Sequence, residues 1–299
     1  MFSGRRFAVA LALGALVAGG CGGSSSSGGK PATPASTTTA TTASGEPPLP
    51  QLGNDAQTDI SNANPVLAGE PILAKYHVKT GALGAFVSGT NKSQYRDVWT
   101  FYTQLVPQGE RKGITIYAIF APKGDSKDKA GYVTLNGDKS SWILAVNPDA
   151  PGGRWEQADT LVHETMHTLS IGGTQTDLTA THCSVDLGSA VGCPKPNSYL
   201  EAYIKRFWTP LISQWEQAQK NKTLEAFYKQ HASEFTRDYA ATSPSEDIAE
   251  SFAAYVLNTP NVPPGVVAKE KFFENYPPLV AIKTYAQQHG AKGLQPPSP

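Results

Sequence analysis

His163, Glu164 and His167 stand at the spacing His-Glu-x-x-His within Leu161-Val162-His163-Glu164-Thr165-Met166-His167-Thr168-Leu169. On an α-helix, residues four apart lie on one face about 6 Å along the axis, so both imidazoles can reach one divalent ion. Zinc suits such a pair, taking neutral imidazole nitrogens at roughly 2.0–2.1 Å and leaving a position for water in a catalytic site. Glu164, next in the chain to the first histidine, is placed to take a proton from that water as it attacks a carbonyl. With six His in 299 residues the motif can also fall on an ordinary helix by chance, so its surroundings decide. Leu161, Val162, Met166 and Leu169 flank it and make the segment a buried helix. Two histidines and a carboxylate inside a core are costly unless they bind something.

The elements that must hold this helix are of mixed type. Tyr95 to Val106 puts Val98, Phe101, Tyr102 and Leu105 at helical spacing and stops at Pro107. Ile114 to Phe120, Gly131 to Leu135 and Trp142 to Val146 are β-branched and aromatic-rich runs separated by Gly, Asp and Lys turns, which predicts a small sheet. Asn147 to Gly153 breaks the chain, and the motif helix is expected from near Trp155 to Gly172-Gly173. Beyond it, Ser198 to Lys220 with Pro210 as a bend, Thr223 to Ala232 and Pro244 to Asn258 read as helices. Their aromatic residues Tyr203, Phe207, Trp208 and Trp215 read as core packing.

Two histidines do not complete a zinc site, so a third protein ligand is needed. The metzincin continuation, Gly three and His six residues past the second ligand, is absent, since those positions hold Ser170 and Gly173. The aspzincin pattern Gly-Thr-x-Asp is one residue out of step in Gly173-Thr174-Gln175-Thr176-Asp177, which leaves Asp177 and His182 as reserve ligands. The better candidate lies in Ser243-Pro244-Ser245-Glu246-Asp247-Ile248-Ala249-Glu250-Ser251-Phe252-Ala253. Helix capping alone accounts for Ser243 as N-cap, Pro244 at the first helical position and Glu246 three residues after the cap. It does not account for Glu246 and Glu250 stacked on one face of a helix whose Ile248, Phe252, Tyr255 and Val256 are apolar. Two carboxylates beside a buried stripe want a cation or a histidine N–H.

His163-Glu164-x-x-His167 followed by Tyr239, then Glu246 seven residues later (246 − 239 = 7), then Glu250, resembles the gluzincin metallopeptidases. In particular it is similar to the anthrax-lethal-factor-like branch, which includes secreted Pro-Pro endopeptidases. The resemblance rests on residues 161–170 and 236–256. It implies an α+β, zincin-like fold, with a small mixed β-sheet packed on the motif helix and a mostly helical C-terminal lobe. It also implies one Zn2+ held by His163, His167 and Glu246, with Glu164 as general base and Tyr239 as oxyanion donor. Glu250, one turn beyond the ligand, and Asp247 would support a ligating histidine. From His167 to Glu246 is 79 positions (246 − 167 = 79), so residues 168–238 read as an insertion.

Arg5 and Arg6 followed by the apolar run Phe7 to Ala18 read as a signal peptide, too short to span a bilayer. Ala18-Gly19-Gly20-Cys21 resembles the lipobox of bacterial lipoproteins, with Ala18 where Leu is usual. Residues 1–21 are thus expected to be a lipoprotein-type leader with Cys21 as the lipidation site, the alternative being an ordinary secreted protein cleaved nearby. Residues 22–51 are Gly-, Ser-, Thr-, Ala- and Pro-rich and read as a flexible tether, which leaves 52–299 for the folded domain. In an oxidising compartment Cys183 and Cys193 most simply form a disulfide, with a metal role beside His182 as the rival. A formal charge of zero and a pI near 7.0 give no basic footprint for nucleic acid.

These readings meet in zinc-dependent hydrolysis of peptide bonds in a protein or peptide of the cell envelope or outside the cell. The chain would sit on the outer face of the membrane, held there only by its lipid. Trp142 to Val146, shortly before the motif helix, is expected to be an edge strand that aligns an extended peptide. Two alternatives stand beside this: a non-catalytic zinc-binding envelope module, and a zinc amidase acting on a peptidoglycan peptide. A closed structural site needs neither Glu164 nor Tyr239, which weighs for catalysis.

Overall fold

The computed structural model of the chain describes residues 70–122, 129–137, 139–180 and 191–296, and singly Cys183, Val185 and Leu187. The expected leader, Cys21, the tether and His182 lie outside these residues.

Five strands, β1 Ile72–Lys79, β2 Ala82–Gly89, β3 Ile114–Phe120, β4 Gly131–Leu135 and β5 Trp142–Val146, form one mixed sheet in the order β2-β1-β3-β5-β4. Only β3 and β5 run parallel, and the other neighbours are antiparallel. Both faces of the inner strands are covered. Tyr117, Ile119, Leu144 and Val146 enter the main core with the helices, while Ile116, Ala118, Phe120, Ile143 and Ala145 form a second apolar cluster with Tyr132. Burial on both faces explains why β3 and β5 read as continuous apolar runs.

It also corrects the expected edge strand. Trp142–Val146 lies between β3 and β4, and every one of its residues is buried. The run has no polar side chain to offer solvent, which suits an interior strand. The edge beside the motif helix is β4, whose Val133, Thr134 and Leu135 are only half-buried.

α1 Ser93–Leu105 and α2 Gly153–Ser170 pack on the sheet and on each other. α2 carries the motif. Its start just ahead of Trp155 is set by Gly152, whose φ of 102° turns the chain into the helix. At its end the Ile171 N–H closes on the His167 carbonyl, and Gly172 leaves at φ 100°.

Past α2, β6 Thr176–Asp177 and β7 Cys193–Pro194 form a two-residue ladder. Cys183 and Cys193 are disulfide-bonded, with Cα atoms 5.2 Å apart. The rest is helical: α3 Tyr199–Tyr203, running into a π turn over Ile204–Trp208, then α4 Ile212–Asn221, α5 Leu224–Gln230, α6 Pro244–Leu257, α7 Pro264–Phe273 and α8 Pro277–Gln288. Pro210 separates the π turn from α4, as its missing N–H requires. α6 is buried along its whole length and packs against α2, α7 and α8. Among the described residues, a five-stranded mixed sheet and eight α-helices make an α+β architecture.

Candidate metal centre

The centre is made where α2 crosses α6. Ser243 caps α6 by accepting from the Glu246 N–H at 3.1 Å, and Pro244 occupies the first helical position. In a full capping box the Glu246 side chain would reach back to Ser243. Here its carboxylate turns to the two histidines instead. His163 Nε2 and His167 Nε2 are 3.0 Å apart, and Glu246 Oε2 is 3.2 Å from each. A tetrahedral zinc with bonds of roughly 2.0–2.1 Å spaces its ligand atoms about 3.3 Å apart, so the three donors fit one ion. Among the described residues, His163, His167 and Glu246 are the one group of three or more His, Cys, Asp or Glu side chains so gathered. All three are buried.

Proton placement points the same way. His163 Nδ1 lies 3.2 Å from Glu250 Oε1, though not on the line of a straight hydrogen bond. A carboxylate at that distance favours the tautomer with its proton on Nδ1, which leaves the Nε2 lone pair aimed at His167 Nε2 and Glu246 Oε2. Lone pairs converging in a dry site call for a cation between them. Burial opposes charge on His163, yet Glu246 and Glu250 outweigh it and hold its pKa well above 6.5. Burial likewise pushes Glu246 up, but His167 and His163 hold it far below the ordinary carboxylate range. The pocket thus favours positive charge at this spot, carried by a proton on His163 or by a cation that takes the proton's place.

Glu250 is in turn held by Arg237, whose Nη2 donates to Glu250 Oε1 at 2.5 Å and to Asp159 Oδ2 at 3.3 Å. The guanidinium therefore ties α6 to α2 just behind His163. Burial lifts Asp159 to about 6 in spite of Arg237.

Glu164 faces away from this bridge toward β4, where the Val133 N–H donates to its Oε2 at 2.8 Å. Close approach is possible because position 131 is glycine: a Cβ there would stand 2.7 Å from Thr160 Cγ2 on α2. Burial raises the Glu164 pKa, with His163 and His167 partly offsetting it, so the carboxylate is a stronger base than one in water. The Tyr239 ring lies 6.0 Å, centre to centre, from that of His163 and is tilted 35° to it. Its hydroxyl is buried without a hydrogen-bond partner at bonding geometry. Burial and the Glu246, Glu164 and Glu250 carboxylates push its pKa well above 10.0, so it remains an O–H donor. A small cleft beside His163 and Glu164 is lined by Lys129, Asp159, Arg237 and Tyr239 among others.

The sequence candidates therefore separate. His163, Glu164, His167, Tyr239, Glu246 and Glu250 meet at one place. Asp247 does not join them, because successive helix residues point about 100° apart. Its carboxylate accepts instead from Trp208 Nε1 at 2.8 Å, Tyr203 Oη at 3.0 Å and Lys269 Nζ at 2.8 Å. Asp177 accepts from the Thr179 N–H and hydroxyl at 2.9 and 2.7 Å, closing a turn on the surface. The Cys183 and Cys193 sulfurs are bonded to each other, which leaves neither as a metal ligand. Arg237, Asp159 and the Val133 N–H were not foreseen. The chain matches no protein-family model, no curated protein and no solved structure.

Proposed function

We propose that the protein is a zinc-dependent hydrolase of peptide bonds, with His163, His167 and Glu246 as the metal ligands. The observation that carries this reading is the approach of their three donor atoms to 3.0–3.2 Å of one another, next to a carboxylate that is not needed as a ligand. When bound, zinc supplies Lewis acidity that activates water and polarises a carbonyl. Glu164 accepts the water's proton on its carboxylate and passes it to the leaving amine. The Val133 N–H orients that carboxylate. Tyr239 donates its O–H to the oxygen of the cleaved carbonyl as negative charge develops there. Glu250, backed by Arg237, keeps the proton on His163 Nδ1.

The similarity to gluzincins in the motif, Tyr239 and Glu246 supports the same reading. The substrate is a protein or peptide met at the cell envelope, reached by a chain that Cys21 anchors through lipid. The test is cleavage of a diverse peptide library by the purified chain. Cutting that stops with a zinc chelator and in Glu164→Gln, which keeps its zinc, supports the proposal. If peptides stay intact but peptidoglycan stem peptides are cut with the same dependence, the amidase alternative replaces it. A zinc-loaded protein that cuts neither is a non-catalytic module.

A further inference from the structure

A further buried charge pair lies on another face of α6, about 100° round the helix from Glu246. Lys269 on α7 is 2 % exposed and Asp247 is fully buried. Lys269 Nζ stands 2.8 Å from Asp247 Oδ1 and 2.7 Å from Oδ2, and it also donates to the Glu234 carbonyl. Asp247 accepts further bonds from Trp208 Nε1 at 2.8 Å, Tyr203 Oη at 3.0 Å and Ser251 Oγ at 3.3 Å. The Lys269 ammonium sits 4.6 Å from the centre of the Phe235 ring. A pair buried this deeply stabilises little relative to an apolar pair of the same volume, because both ions lose their water. What it adds is direction, since an ammonium with three donors fixes the groups around it in space.

The groups so fixed all lead to the metal centre. Asp247 directly follows the ligand Glu246 in the first turn of α6. Glu234 begins the stretch that runs through Arg237 to Tyr239. Tyr203 and Trp208 belong to α3 and its π turn, so the helical region between the motif and α6 reaches the centre through the same carboxylate.

We propose that Lys269 is a positioning residue for the metal centre. By joining Asp247 to the Glu234 carbonyl, it sets the rotation of α6 that aims Glu246 at the histidines, and it seats the stretch bearing Arg237 and Tyr239. This rests on the reading that His163, His167 and Glu246 hold a metal.

The experiment measures zinc affinity by chelator competition, and the visible spectrum of the cobalt(II)-substituted protein, on the full chain. Lys269→Met removes the ammonium. The double variant Asp247→Asn/Lys269→Met leaves no unpaired buried charge, and its Asn still accepts from Trp208 and Tyr203, so it carries the test if the single variant does not fold. Val78→Ala on β1, remote from α2 and α6, is the control for general loss of stability. The Lys269 variants are expected to bind zinc at least tenfold more weakly and to show an altered cobalt(II) spectrum. Val78→Ala is expected to melt earlier with affinity and spectrum unchanged. A folded double variant with wild-type affinity and spectrum would overturn the positioning role while leaving the metal centre standing. A wild-type chain that binds neither zinc nor cobalt(II) would remove the metal reading, and this inference with it.

Discussion

Tyr239 holds its proton because burial and three neighbouring carboxylates keep it from ionising, so it meets the site as a donor. Tyr239→Phe keeps the ring against His163 and removes the proposed oxyanion donor. Zinc content should be unchanged, while kcat falls on the order of 10²–10³ and KM moves little, because the bond strengthens only as charge develops. A raised KM at unchanged kcat would make the hydroxyl a substrate-binding group instead. Glu250 allows a pH prediction. Burial pushes its carboxyl up, but Arg237 and His163 outweigh it and hold the group at about 2, below its ordinary 4.5. A depressed folded-state pKa means that the stabilisation is complete above about 4.5 and is lost as pH falls toward about 2. In denaturant titrations across that window, Glu250→Gln should show a shallower loss of stability than wild type; an equal slope would assign the acid sensitivity elsewhere. The residues legible in the sequence were those with a local signature: the motif spacing, and a Glu246 that capping did not exhaust. Arg237 and Asp159 meet across 78 positions, and a backbone N–H such as that of Val133 has no signature at all. Asp247 was misplaced because adjacency in sequence is not adjacency on a helix face.

At the scale of elements, β3, β5 and α6 agree with their sequence patterns because burial of both sheet faces and the Ser243–Pro244 start of α6 leave clear marks, while β4 is marked by its β-branched and aromatic residues. The hairpin β1–β2 was not foreseen although β1 alternates, with Ala74, Tyr76 and Val78 buried between Lys75, His77 and Lys79; only β2 lacks such a mark. β2 is Ala82-Leu83-Gly84-Ala85-Phe86-Val87-Ser88-Gly89, almost wholly exposed, and its extended state follows from pairing with β1 rather than from any alternation of its own. α7 was hidden for a different reason: Lys269 occupies a core position where an apolar residue would have completed the stripe. The β6–β7 ladder carries one end of the disulfide, since Cys193 lies in β7. With Cys183 and Cys193 ten positions apart, the bridge is expected to contribute about 2–3 kcal/mol through the unfolded chain. Cys183→Ser/Cys193→Ser should lower the urea-unfolding free energy by that amount, and an unchanged midpoint at the same slope would show the loop to be held by its other contacts.

For the whole molecule, the candidate metal centre joins the sheet-packed α2 to the helical region that supplies α6, Arg237 and Tyr239. Among the described residues no helix is long and apolar enough to cross a membrane. Since the two regions meet at the three proposed ligands, zinc binding would be thermodynamically linked to the packing of α2 on α6. The measurement that reaches this account most directly is the zinc content of the purified chain, after chelation and reloading, for wild type and Glu246→Ala. One equivalent of zinc in wild type, lost from Glu246→Ala under the same dialysis, is the predicted result. A wild-type chain without stoichiometric zinc, or a Glu246→Ala variant that retains a full equivalent, would contradict it.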